Sequence, residues 1–351
     1  MGDVATGAGK VRATGRPEGA TARVELAAAA AGGVAAGLAV GAASEGWAGE
    51  AEYFEYTRAA NPIGSGHTPR VPLARFPAAL HRGAPTGLVP LDVSADLGID
   101  RGPATSPGLL ASFVRIRAGE EVATDGVATS EMWFVLEGSG RTAGEGGAVA
   151  WGAGDVLVRP GGTPAVHAAD EDATLYHVTD EPLLRYLGVA PVEARFAPTR
   201  FPAERIRAEL DAIAAGPRAT DRNRLSVLLA GATQPQTLTA THVLWVMFGL
   251  LPEGAVQRPH RHQSVALDLI VDCEPGCFTL VGARLDERGE IVDPTRVDWE
   301  PGGAFITPPG LWHAHVNRSG APAHLLPVQD AGLQTYLRSL DIRFAPALRA
   351  T

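Results

Sequence analysis

The stretch "RPHRHQSVALDLIVDCEPG" (Arg258–Gly276) sets two histidines one residue apart, just ahead of an apolar run. A second stretch, "GGAFITPPGLWHAHVN" (Gly302–Asn317), carries another such pair, His313 and His315. On a β-strand, residues i and i+2 share a face about 7 Å apart. Each pair can therefore aim two imidazoles into one interior. A lone surface His-x-His carries little information. Two such pairs, each beside a β-rich run punctuated by Gly and Pro, suit neutral imidazoles gathered around a divalent metal.

The same stretches reveal a repeat. "VAWGAGDVLVRPGGTP" (Val149–Pro164) matches "VDWEPGGAFITPPGLW" (Val297–Trp312), with Trp151 against Trp299, Gly154 against Gly302, Pro160 against Pro308 and Gly162 against Gly310. A second match follows each: "DEPLLRYL" (Asp180–Leu187) and "DAGLQTYL" (Asp330–Leu337). Two matches in the same order indicate a duplicated domain. Within the copies, "LLASFVRIR", "MWFVLEG" and "DVLVRP" correspond to "HVLWVMFGLL", "ALDLIVD", "CFTLVG" and "AFITP". These are short strand-like runs at the spacing of a sandwich or barrel. Between the copies "FPAERIRAELDAIAAG" predicts a helix: Pro202 suits its first turn, Ile206, Leu210 and Ile213 form an apolar stripe, and Gly216 can end it.

Composition agrees with a globular chain of short elements. The 351 residues are 45% hydrophobic and 20% charged, with 42 Gly, 27 Pro and Lys nearly absent. A net charge of −9 speaks against nucleic acid or an anionic membrane as partner, since either calls for a basic face. The two cysteines, Cys273 and Cys277, flank a turn and provide no disulfide framework, so they are read as free thiols in a reducing cytosol. Residues 1–48 are rich in Ala and Gly. Their uncharged run has weak transfer free energy, and Glu18 and Glu25 interrupt the arginines before it. They read as a disordered or loosely helical tail, and the protein as cytoplasmic.

The motifs resemble those of the cupin superfamily. Gly254, His260 and His262 match Gly-x5-His-x-His; Gly302, Pro308, Gly310, His313 and Asn317 match Gly-x5-Pro-x-Gly-x2-His-x3-Asn in full. The paired copies and the "HRH…AL…LIV" and "TPPGLWHAHVN" stretches are most similar to the bicupin gentisate 1,2-dioxygenase group, which includes enzymes acting on salicylate and 1-hydroxy-2-naphthoate. The resemblance spans about residues 108–345. It implies a mainly all-β fold of two cupin (double-stranded β-helix, jelly-roll) barrels with a helical linker. The expected order is the tail (1–48), an N-terminal arm (49–107), a degenerate cupin (108–190), the linker (191–235) and a metal-binding cupin (236–351).

The resemblance further implies that His260, His262 and His313 hold Fe(II), with other divalent first-row metals chemically acceptable, and that His315 stands next to substrate. Many cupins add a glutamate after His-x-His; Ala266 and Leu267 occupy those positions here. Where the gentisate-type motif carries an arginine for the substrate carboxylate, this chain has Asp268, suited instead to an amine or hydroxyl. Arg258 and Arg261 are possible substitutes for that arginine, though both read as outward-facing. In the first copy, spacing from Gly119 puts Asp125 and Val127 in place of the two histidines and Ala165 in place of the third, while His167 aligns with His315. That copy reads as structural.

The implied activity is a dioxygenase that takes O2 and a small chelating aromatic acid, as a homodimer or homotetramer. Two alternatives stay open: a redox-neutral metal-dependent isomerase or lyase using His315 as base, and a non-catalytic ligand-binding bicupin.

Overall fold

The structure is a computed structural model that describes residues 48–219 and 222–346. The tail expected over 1–48 lies outside the described residues save for its last position. Two compact units are delimited, one ending at Pro62 and one from Ile63 onward, and both barrels belong to the second. Among the described residues no helix is long and apolar enough to cross a membrane.

The arm is more regular than its sequence suggests. It contributes β1 (Arg75–Phe76) and β2 (Gly87–Pro90) before the first barrel begins. The first barrel comprises β3 (Leu110–Ile116), β4 (Glu121–Thr124), β5 (Glu131–Glu137), β6 (Ser139–Gly144), β7 (Gly147–Gly152), β8 (Val156–Arg159), β9 (Ala165–Ala169) and β10 (Ala173–Thr179). In the linker, β11 (Thr199–Phe201) precedes the helix Ala203–Ala214, whose buried face is Ile206 and Leu210, and β12 (Leu225–Leu229) follows it. The second barrel then runs through β13 (Trp245–Leu251), β14 (His260–Arg261), β15 (Ala266–Asp272), β16 (Cys277–Gly282), β17 (Thr295–Asp298), β18 (Ala304–Thr307), β19 (Trp312–Asn317) and β20 (Ala323–Gln329), with β21 (Arg343–Phe344) beyond.

Each barrel is made of two antiparallel sheets. In the first, β11-β8-β5-β10-β3-β2 faces β4-β9-β6-β7; in the second, β1-β18-β15-β20-β13-β12 faces β17-β16-β19-β14-β21. The two six-stranded sheets share one core between the barrels. Phe113, Met132, Phe134 and Tyr176 of the first meet Phe248, Leu267, Ile306 and Val328 of the second. Alternation along each strand explains this partition, because Leu267 and Leu269 turn to the shared core while Asp268 and Ile270 turn inward. Each barrel also has its own apolar interior, around Trp133 and Trp151 in the first and around Ile270 and Trp299 in the second.

The repeat seen in sequence is geometric. Gly154 and Gly302 take φ of +89° and +78° in the turns that lead into β8 and β18, and Gly162 and Gly310 take +80° and +77° in the turns that leave them. Side chains with a Cβ rarely adopt that backbone, so glycine recurs at all four. The helices Glu181–Leu187 and Ala331–Tyr336 follow aspartates in both copies, the buried Asp180 and the half-buried Asp330.

Candidate metal centre

His260 and His313 are opposite one another in the β14–β19 ladder, which puts their rings 4.0 Å apart. The strand ends at Arg261, so His262 stands just past it rather than within a longer strand. There Gly310 donates its amide to the His262 carbonyl at 2.7 Å, and the imidazole turns back to within 4.9 Å of the His313 ring. One nitrogen from each of His260, His262 and His313 lies within 4.8 Å of the others, and all three residues are buried. Among the described residues this is the only group of three His, Cys, Asp or Glu side chains so spaced. His315 is not a member of that group, although its ring is only 6.3 Å from that of His260 and 5.9 Å from that of His313.

Hydrogen bonds distinguish the two nitrogens of His262 and His313, whereas at His260 it is Nδ1 that is buried without a partner. His262 Nδ1 donates to the Ser264 carbonyl at 2.8 Å, and its Nε2 is buried without a partner. The Ser264 hydroxyl lies 3.0 Å from the same Nδ1 and donates to Gln329 Oε1 at 2.8 Å. His313 Nδ1 donates to the Leu311 carbonyl at 3.2 Å, leaving its Nε2 as lone pair. His260 Nε2 lies 3.2 Å from Nη2 of Arg224. A guanidinium can only donate, so this nitrogen too presents a lone pair. Burial pushes all three imidazoles below their ordinary range, with the Arg224 charge adding to the effect at His260 and His262. Neutral rings with inward lone pairs, one of them orphaned, fit a divalent cation. When a cation takes the His260 lone pair, the Arg224 contact to that ring must be given up.

Arg224 is the residue that the sequence reading did not single out. It lies in the linker immediately before β12, and its Nη2 also reaches His315 Nε2 at 3.2 Å. Burial pushes its pKa down, and Asp268 offsets part of that shift. Asp268 is buried on β15 and accepts a hydrogen bond from Thr307 at 2.6 Å. Burial raises its pKa to about 6 against the opposing pull of Thr307 and Arg224, so it is mostly ionised at neutral pH. Arg258 and Arg261 do not enter the site: their guanidinium carbons stand over Phe344 and Trp312, at 5.4 and 5.0 Å from the ring centres.

The first barrel has no comparable centre. Its ladder sets Thr124 opposite Ala165, the pairing that corresponds to His260 opposite His313. Asp125, which spacing from Gly119 puts in the place of His260, is exposed, as is Val127. The offset has a local cause. Val256 bridges Val316 while His260 pairs with His313, so the second barrel holds one more residue on that side than its partner strand does. Counting from glycine therefore misses by one. Most interior polar groups of the first barrel instead satisfy one another, although His177 Nε2 is buried without a partner. Arg159 donates to Glu131 at 2.8 Å and to Thr163, and Trp133 is sandwiched between His167 and His177, each ring 4.0 Å away.

No family model matches the chain. Over 135 residues, 37% of this chain and 36% of the relative, it is 34% identical to the 5-aminosalicylate 1,2-dioxygenase of Comamonas sp. Over 82 residues, 23% of this chain and 20% of the relative, it is 34% identical to gentisate 1,2 dioxygenase 1 of Aquipseudomonas alcaligenes. The matched stretches thus span about a third or less of these curated relatives. Among solved structures, a salicylate 1,2-dioxygenase from Pseudaminobacter salicylatoxidans superposes with a TM-score of 0.63 at 14% identity, covering 87% of this chain and 97% of that one. The gentisate adduct of a Pseudoaminobacter salicylatoxidans salicylate 1,2-dioxygenase gives 0.62 at 13%, with 86% and 93% covered. The chain therefore has the fold of two cupin barrels, and its sequence relatives are named as 5-aminosalicylate and gentisate 1,2-dioxygenases.

Proposed function

We propose that the chain is a non-haem Fe(II)-dependent dioxygenase that opens the ring of a small aromatic acid bearing a hydroxyl or amino group, of the salicylate, 5-aminosalicylate or gentisate type. The observation that carries this reading is the set of three buried imidazoles with inward lone pairs and no carboxylate among them, next to the Arg224 guanidinium. Fe(II) held by His260, His262 and His313 would supply the open positions and the electron transfer that let O2 react with the ring. In that reaction one ring carbon–carbon bond breaks, each of its carbons gains an oxygen, and the ring supplies all the electrons.

The side chains define what is held and where. Arg224 offers a planar donor fork for the substrate carboxylate, the task suited to the arginine that the gentisate-type motif carries at the position of Asp268. Asp268 then accepts a hydrogen bond from an amine or hydroxyl on the ring. His315 Nε2, turned towards Arg224, is placed to take the proton of a substrate hydroxyl as its oxygen becomes a better electron donor. His260, His262, His313 and His315 are each no more than 4% exposed, so these charges meet in a site with little water. We assign the protein to the cytoplasm, as a homodimer or homotetramer without nucleic-acid or membrane partners.

Metal analysis of the purified protein, followed by oxygen uptake over salicylate, 5-aminosalicylate and gentisate, tests the reading. One iron per chain and uptake with an amino- or hydroxy-substituted salicylate are expected. Turnover without oxygen consumption would instead make the protein a redox-neutral enzyme.

A further inference from the structure

Both barrels contain the same internal chain of hydrogen bonds. In the first, Trp151 Nε1 donates to Thr142 Oγ1 at 3.0 Å, and that oxygen lies 2.8 Å from His167 Nδ1. In the second, Trp299 Nε1 donates to Thr279 Oγ1 at 2.8 Å, and that oxygen lies 2.8 Å from His315 Nδ1. Thr142 and Thr279 occupy matching places, paired with His167 on β9 and His315 on β19. The two chains end differently. His167 Nε2 meets a hydroxyl, Thr124 Oγ1 at 3.1 Å, which can donate or accept. His315 Nε2 meets the Arg224 guanidinium, which can only donate.

We infer that Trp299 and Thr279 are positioning residues that hold His315 with its proton on Nδ1 and its Nε2 lone pair facing the substrate position. The argument is one of hydrogen-bond direction. A nitrogen that accepts from Arg224 carries no proton, so the single proton of the neutral ring is on Nδ1 and is donated to Thr279. That hydroxyl oxygen uses its two lone pairs for Trp299 and His315, which locks the plane of the imidazole as well as its tautomer. Thr279 is fully buried and Trp299 nearly so, and water does not compete for either bond. Duplication separates fold from function: the Trp–Thr–His chain in the first barrel builds the interior, and only in the second is its far end left to act on a ligand.

The role of this chain in turnover rests on the dioxygenase reading, whereas the tautomer does not, so the two are measured separately. Two-bond 1H–15N correlations on the full-length, 15N-histidine-labelled, Zn(II)-loaded protein report which nitrogen of His315 is protonated, with His315→Gln identifying its signals. Protonation at Nδ1 is expected in the parent, with a shift towards Nε2 or a mixture in Thr279→Val. In the iron-loaded protein, Thr279→Val should lower kcat by about 10- to 100-fold with KM and iron content within roughly twofold of the parent. Trp299→Phe, which keeps the ring and loses the donor, should lower kcat less, and Thr279→Ser should restore most of it. Trp151→Phe and Thr142→Val in the first barrel should leave kcat unchanged. A parent ring protonated at Nε2 would overturn the inference whether or not oxygen is consumed. So would equal losses from Trp151→Phe and Trp299→Phe.

Discussion

The two barrels are built from one plan, yet they treat their interior polar groups in opposite ways. In the first, Glu131 and Arg159 neutralise each other, His167 is bonded at both nitrogens, and Trp133 fills the space between two imidazoles. In the second, the residue at the place of Trp133 is Asp268, and Thr307 stands where Arg159 does. Lone pairs on His260, His262 and His313 are left facing inward. A buried polar group without a partner destabilises the fold, so a barrel that leaves several together depends on a ligand to complete them. The difference lies in what fills each interior: an ion pair and a Trp133–imidazole cluster in the first barrel, three converging imidazole nitrogens in the second.

Removing ligands should break the comparison most completely. Alanine at His260, His262 or His313 should abolish stoichiometric metal binding and with it activity. His315→Ala should keep the metal and lose turnover. Metal content of the four variants decides between them, and full occupancy in His313→Ala would exchange the roles of His313 and His315.

The Glu131–Arg159 pair of the first barrel should matter to stability and not to the metal. Glu131→Gln leaves Arg159 buried without its counter-charge, which should cost about 3–5 kcal/mol of unfolding free energy. One metal per chain should remain, in this variant and in its combination with His167→Ala. Urea unfolding with metal analysis measures both, and two metals per chain in the parent would refute a silent first barrel.

Asp268 sharpens the contrast at its point of substitution. Asp268→Asn keeps the shape and removes the charge, and should lower kcat/KM by about 5- to 150-fold, or roughly 1–3 kcal/mol. Asp268→Arg should move preference towards substrates whose carboxylate needs a second cation. If Asp268→Asn turns over every substrate as the parent does, the aspartate serves the barrel wall.

The smallest effect is one of acid stability. Burial first, then the charges of His167 and Arg159, lower the His177 pKa from 6.5 to about 3. The unfolded chain therefore binds this proton first. The stability contributed is complete above about pH 6.5 and is lost as pH falls towards about 3. Asp330 slopes the other way: burial raises its pKa from 3.8 to about 6, so its contribution is complete below about pH 3.8 and is lost as pH rises through about 6. His177→Gln should flatten the acid limb by about 1–2 kcal/mol at pH 5 relative to neutral pH. Asp330→Asn should steepen that limb slightly between pH 4 and 6. Urea midpoints across this range measure both slopes.

Much of this was legible in sequence because it depends on local spacing. The glycine and proline turns fixed the register of β8 and β18, and a motif with eleven intervening positions singled out His313, the one that clusters with His260 and His262, rather than His315. What escaped depends on contacts distant in the chain. Arg224 precedes His260 by two strands and two loops, sits in a segment read as linker, and belongs to no periodic pattern. Thr124 was hidden by the one extra residue between Val256 and His260, which strand pairing reveals and residue counting does not. The strands of the arm are two and four residues long, too short for alternation to mark them.

That arm has a consequence for how the chain is made. β1 completes the edge of the six-stranded sheet that carries Asp268, and Arg75 donates to the Asp298 carbonyl across 223 residues of sequence. β2 pairs instead with β3, a near neighbour in the chain. During synthesis the first barrel has its strands in hand early, while β1 must wait for the last third of the chain to emerge. Late closure of so distant a pair is slow because a long loop is ordered before the contact rewards it. The second barrel, together with the three clustered imidazoles inside it, is thus expected to be completed last, and a chain shortened ahead of β2 should reach that step without the strand that finishes it.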